Sequence, residues 1–295
     1  MPDDHDRSQS TFLLVPGAQK AGTTWLYHTL RKQPGVRFPT KEAHVFDRAF
    51  VPALAEQLDR RRAERIAHMA PVAGESERAV ARRVGKLRLE HRFIDAETNF
   101  DVYADIFAEI VASSPGPIVT GDMTPSYSLL TGEQWRIMRE VIDRIPGRKQ
   151  VLLLLRDPVE RTLSELRFSL RKGYSGLRPG GPTDETWMMA FVARPEVHGL
   201  SAYERFMPNI LGSFAEDEVH VEFYEELFTT DAMFRLAAFL GIGPIDADFA
   251  RIDNASGVSL DIPAQVRAAV RERLDDTYRW ARDRFGQDHV DALWR

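Results

Sequence analysis

The sequence predicts an α/β fold of three layers, with a mostly parallel central sheet flanked by helices. Three observations predict it. Short apolar runs that read as strands recur at residues 12–15, 118–120, 151–155 and 219–223. Stretches with helical apolar spacing separate them, and strands alternating with helices imply parallel neighbours joined by crossovers. The run 151–155, VLLLL, is apolar without alternation, as expected of a strand buried on both faces.

In chain order, residues 1–10 are polar and acidic, lack a signal-peptide core and are expected to be disordered. Residues 11–295 are expected to form one domain. The strand at 12–15 runs through a small-residue loop into a helix from Trp25, with Thr23 or Thr24 as N-cap. Residues 51–98 read as an arginine-rich helical insert punctuated by Pro71 and Gly74. Its Arg60, Arg61, Arg62, Arg82 and Arg83 make either a basic rim or a solvated helix face. Helical spacing returns at 99–111 and 134–145, and Pro158 suits the first turn of the helix after 151–155. Residues 173–185, GYSGLRPGGPTDE, read as a flexible loop and a candidate lid. A helix at 201–214, an alternating strand at 219–223, a helix at 231–240 stopped by Gly241, and a last helix at 263–285 complete the expectation.

Net charge is −5, so no global basic field attracts nucleic acid. The absence of cysteine excludes disulfides, thiolate metal sites and cysteine nucleophiles, and fits a reducing compartment. No apolar run approaches the length of a membrane span. The histidines show no metal-ligand spacing such as H-E-x-x-H. A cytoplasmic enzyme that needs no metal is the simplest expectation. Oligomeric state is not legible.

Four segments carry the chemistry. The first is Gly17 to Thr24 between strand and helix, the usual backbone grip on phosphate, because first-turn N–H groups are unpaired and the dipole favours an anion. The frame Gly17-x-x-x-x-Gly22 matches a nucleotide triphosphatase loop, but Thr23 occupies the lysine slot and Lys20 lies inside the loop. The second is VLLLLRDPVERTLSELRFSL, where Arg156 ends the strand and Ser164 lies two helical turns on. A guanidinium fork and a hydroxyl there can hold one phosphate. The third is KEAHVFD, in which continued extension after Pro39 would project Glu42 and His44 to one face. The fourth is the segment GDMTPSY, which follows the strand at 118–120.

QKAGTTWL and RDPVERTLS resemble the phosphate-binding segments of sulfotransferases that use 3′-phosphoadenosine-5′-phosphosulfate (PAPS). KEAHVFD and GDMTPSY resemble the heparan-sulfate-type branch, the N- and 3-O-sulfotransferase domains; the chain looks like a bacterial-type soluble member. The resemblance implies a P-loop-like fold and PAPS as sulfuryl donor. It implies donor contacts from Gln19, Lys20, Ala21, Gly22, Thr23, Thr24 and Trp25, and 3′-phosphate contacts from Arg156 and Ser164. A late loop with Ser256 and Gly257 would close over the nucleotide. Glu42 would be the catalytic base, assisted by His44, with Lys20 stabilising the leaving phosphate. Lys41, Asp47, Met123 and Tyr127 would line the acceptor site, where many relatives carry lysine in place of Met123. The expected acceptor is a carbohydrate hydroxyl, with a lipid, a small metabolite or an amine as alternatives. Two other readings stand: a P-loop kinase or NTPase with Asp157 on magnesium, and a non-catalytic nucleotide-binding module.

Overall fold

The computed structural model describes residues 8–71, 74–172, 184–251 and 261–294. The expected lid at 173–185 falls almost wholly outside these residues, as does the late loop with Ser256 and Gly257. Four strands, β1 (Thr11–Leu14), β2 (Val119–Asp122), β3 (Arg148–Leu155) and β4 (Val219–Phe223), form one sheet in the order β2-β1-β3-β4. Every pairing is parallel. The helices that flank it are α1 (Thr23–Leu30), α2 (Phe46–Phe50), α3 (Pro52–Ala67), α4 (Glu77–Ala96), α5 (Phe100–Ala112), α6 (Gly132–Asp143) and α7 (Pro158–Lys172). They continue with α8 (Glu185–Val192), α9 (Pro195–Gly199), α10 (Tyr203–Leu211), α11 (Thr230–Leu240), α12 (Ala264–Arg273), α13 (Asp275–Phe285) and α14 (Gln287–Leu293). Among the described residues no helix is long and apolar enough to cross a membrane.

The sheet centre is dry. All of β1 is buried, and of β3 only Arg148 is exposed, so the VLLLL run packs on both faces. Phe12 meets Tyr103 and Phe107 of α5 edge-on, with ring centroids 6.4 and 4.9 Å apart. At the other end of the strands, the Leu240 carbonyl that closes α11 accepts from Thr11 and Arg148.

Several expectations are revised. Ser10 is buried and its hydroxyl accepts from Ile118 N–H, so order begins before residue 11. The expected helix at 263–285 is two helices that break at Leu274, whose buried side chain anchors the corner. The arginines of the insert mostly face carboxylates. Arg62 pairs with Glu97, Arg65 with Glu90 and Arg83 with Glu75. These pairs join α3 to α4 and to the ends of the hairpin, which leaves little of a continuous basic rim.

Gly121 shows how tightly the β1–β2 pair is drawn, since a Cβ there would lie 1.9 Å from the Leu13 carbonyl oxygen. Gly121→Ala must push β2 off β1. The expected result is a loss of about 3 kcal/mol of stability, seen as a lower urea midpoint at unchanged slope.

Candidate active site

β1 lies between β2 and β3, and the chain turns first to one side and later to the other. That reversal is where parallel α/β sheets open a crevice at the carboxyl ends of their strands. The loop after β1 is pinned there. Val15 N–H donates to Asp122 O, Ala18 N–H to Leu154 O, and Ser128 N–H to Pro16 O, at 2.9, 2.6 and 2.9 Å. Lys20 and Gly22 have φ of 70° and 87°, so the loop folds back on itself before α1. Gly22, rather than a threonine, caps α1, and no side chain caps it. A left-handed cap favours glycine, and a Cβ there would also meet Leu227 at 2.8 Å and Tyr224 at 3.3 Å. Thr23 and Thr24 therefore sit in the first turn, where backbone N–H groups lack intrahelical partners. Ala21, Thr23 and Trp25 are buried and contribute backbone or packing. The Trp25 ring stacks with Phe249 and its Nε1 donates to Asp248 O at 3.1 Å.

Cations gather on this loop. Arg156, at the end of β3, donates from Nη1 to Lys20 O at 2.9 Å and lies 4.4 Å over the Tyr224 ring. Tyr203 O–H holds the Arg156 carbonyl at 2.8 Å. Lys20 Nζ rests 4.0 Å over the Phe168 ring of α7. Burial pushes the Lys20 ammonium down to about 8; Glu165 resists, while Arg171, Arg161 and Arg156 add to the fall. Ser164 is half-buried on α7. Asp157 is committed elsewhere: Oδ1 accepts from Glu160 N–H at 2.8 Å and caps α7, and Oδ2 accepts from Tyr278 O–H at 2.9 Å.

A second cluster forms between α1 and α2. Glu42 meets Lys41 Nζ at 2.5 Å and His44 Nε2 at 3.1 Å, and His44 Nδ1 meets Asp47 at 2.7 Å. Asp47 also accepts from Ser126 Oγ at 2.5 Å. The segment is not extended as expected; His44 has φ of 53°, and that turn rather than a strand brings the Glu42 and His44 side chains together. Burial lowers the His44 pKa, but Asp47 and Glu42 outweigh it and raise it to about 9. Burial likewise opposes ionisation of Glu42, yet Lys41 and His44 hold it well below the usual carboxylate range.

Asp47, Met123 and Tyr127, expected in the acceptor site, are fully buried. They support the cluster from behind. Tyr127 O–H donates to Asp122 at 2.8 Å and accepts from Val45 N–H at 3.2 Å, and Met123 N–H donates to Lys41 O at 3.0 Å. Lys41 stays partly exposed. Gln19 of the loop lines one cavity of about 310 Å³ together with Glu42, His44 and Ser126. Glu165 and Ser169 of α7 form another wall. Sequence reasoning missed Asp122, Ser126 and Glu165; only GDMTPSY gave any local signal for the first two.

His44 binds its proton more tightly folded than unfolded, so its contribution is complete below 6.5 and is lost as pH rises towards about 9. Lys20 acts oppositely, adding stability from about 8 upward to 10.5. Between pH 6.5 and 8 the histidine acts without the lysine. Unfolding free energy is expected to fall there by up to about 2 kcal/mol. Urea titrations across this window check it, and His44→Gln should flatten the slope.

No known protein-family profile matches the chain, and no curated protein does. Solved structures do. A sulfotransferase from Alicyclobacillus acidocaldarius is 17% identical with a TM-score of 0.51, over 90% of this chain and 94% of that one. The sulfotransferase domain from the curacin biosynthetic pathway is 14% identical with a TM-score of 0.47, over 90% and 97%. Mouse sulfotransferase SULT7A1, solved with 3′-phosphoadenosine-5′-phosphate (PAP), is 14% identical with a TM-score of 0.39, over 93% and 68%. The Alicyclobacillus likeness shows that this chain has the P-loop-like fold of a sulfotransferase, as the four-stranded parallel sheet and its loop led one to expect.

Proposed function

We propose that the protein is a sulfotransferase that moves the sulfuryl group of PAPS to an acceptor hydroxyl or amine. One observation carries this reading: Gln19 of the phosphate-type loop and the Glu42–His44 pair line the same cavity. Backbone N–H groups of Gly22, Thr23 and Thr24 would hold the 5′-phosphate. Lys20 would neutralise its leaving oxygen, and Arg156 with Ser164 would take the 3′-phosphate. Glu42 accepts the acceptor's proton as the new O–S bond forms. The bond from sulfur to the 5′-phosphate oxygen breaks, and its electron pair stays on that oxygen. Glu42 is a weak base at rest, but the acceptor proton becomes strongly acidic as its oxygen bonds to sulfur. Positioning and charge therefore do most of the work, as in phosphoryl transfer.

KEAHVFD and GDMTPSY support the heparan-sulfate-type resemblance and a carbohydrate-like acceptor. A cytoplasmic setting belongs to the same reading. The kinase alternative is weakened because both Asp157 oxygens are engaged in structure.

Calorimetric titration with PAP, AMP and ATP–magnesium tests the donor. PAP should bind far above AMP, and Arg156→Ala should weaken it about 100-fold. Preference for ATP–magnesium, or indifference to the 3′-phosphate, overturns the proposal. With PAPS and a working acceptor, Glu42→Gln and Lys20→Ala should each lower kcat by about 100-fold or more. Unchanged rates in both would remove them from the mechanism.

A further inference from the structure

The cavity beside Glu42 has a composition that the phosphate loop and base do not account for. Its volume, about 310 Å³, is that of roughly ten water molecules. It suits one small molecule rather than a polymer chain. One side is apolar: Leu54 and Leu58 of α3 face Phe191 of α8, Val197 of α9 and the adjoining Leu200. Leu58, Phe191, Val197 and Leu200 are nearly covered. The polar wall carries carboxylates, Glu56, Glu165 and Glu196 besides Glu42, against Arg60, Arg61 and Arg194. Arg60 is taken by Glu56 at 3.0 Å. The cavity thus has no surplus of positive charge with which to hold an anionic acceptor.

Glu165 stands out on that wall. It is more than nine-tenths buried, and among the described residues its Oε2 has no hydrogen-bond partner. Lys20 and Arg161 are its charged neighbours, yet neither donates to that oxygen, and Arg161 Nη2 donates to Val197 O instead. A buried carboxylate oxygen without a donor is costly unless something entering the cavity supplies one.

We propose that the acceptor is a small, uncharged, hydroxylated molecule with an apolar flank, oriented by a hydrogen bond from a second hydroxyl to Glu165. This rests on the sulfotransferase reading and narrows it. The reacting hydroxyl sits at Glu42, the second hydroxyl donates to Glu165, and the flank lies on Leu54, Leu58 and Phe191. Helix α3 of the insert then acts as a specificity wall rather than as a basic rail for an anionic polysaccharide.

The test uses matched probes with the full-length protein and PAPS. Phenyl β-glucoside and phenyl β-glucuronide differ at one end by a carboxylate; a sulfated heparan oligosaccharide represents the anionic chain. PAP binding is measured alongside by calorimetry. The glucoside should be turned over with kcat/KM at least about tenfold above the glucuronide and the oligosaccharide. Glu165→Gln and Glu165→Ala should raise the glucoside KM by about tenfold with kcat less affected. Leu54→Trp should do the same by filling the wall, and should leave PAP affinity within about twofold. Preference for either anionic probe overturns the inference and leaves the donor reading standing. So does PAP binding without binding or turnover of the glucoside. A fall in kcat alone, with a shifted alkaline limb and unchanged KM, would mean that Glu165 acts only through Lys20, which also overturns it. Failure of the wild-type protein to bind PAP would instead sink the donor reading itself.

Discussion

Asp122 is fully buried, so every bond that it accepts must come from a segment folded against it. Its Oδ1 takes Ala43 N–H at 3.1 Å and Thr124 O–H at 2.6 Å, and its Oδ2 takes Tyr103 O–H at 3.0 Å and Tyr127 O–H at 2.8 Å. These donors belong to the Glu42 segment, the turn after β2 and helix α5. Burial raises the Asp122 pKa and the four bonds oppose that rise. A carboxylate in this setting is stable only while all its donors are in position, which makes it a strict constraint on geometry. Glu42 and His44 inherit that constraint, because Ala43 sits between them. Tyr127 passes it on through Val45 N–H, which leads into α2.

The loop side is fixed differently, by backbone rather than by buried charge. The chain from Val15 to Ala18 continues the sheet's hydrogen bonding past the end of β1, with an acceptor on β2 and both a donor and an acceptor on β3. Lys20 and Gly22 then reverse it into α1. This division suits the chemistry proposed. Backbone amides make a rigid and sequence-tolerant cradle for phosphate, whereas proton transfer needs side chains whose charge states are set by named neighbours.

The legibility of the sequence follows the same division. The sheet, the loop and the helix after Arg156 were readable because strand runs, glycine punctuation and Pro158 act over short stretches of chain. The Glu42–His44 pairing was readable only through a motif, and the physical route first assigned to it, an extended strand, differs from the left-handed turn at His44. Asp122 and Ser126 could not be assigned roles in advance, and Tyr127 was expected in the acceptor site rather than behind it, since Ser126 reaches Asp47 across 79 residues and Tyr127 reaches Val45 across 82. The same holds for the insert, where Arg62 and Arg65 find Glu97 and Glu90 only because α3 and α4 fold back on each other. The break at Leu274 was hidden because the apolar spacing of α12 runs straight into α13.

Charge is segregated across the cavity in a way that neither half explains alone. On the base side, Glu42 and Asp47 face Lys41 and His44, so two negative groups meet two positive ones and their fields largely cancel at a distance. On the loop side, Lys20 lies among Arg156, Arg161 and Arg171, and Glu165 opposes them at Lys20. That crowding, together with burial, is why the Lys20 ammonium is pushed down to about 8. An anion held by the α1 N-terminus would screen the arginines and restore the ammonium, so donor binding and the charging of Lys20 favour each other. The base side would feel the same anion far less, since its charges are already paired. On the proposed reading, the loop side would attract a polyanionic donor while the base side would suit a neutral partner.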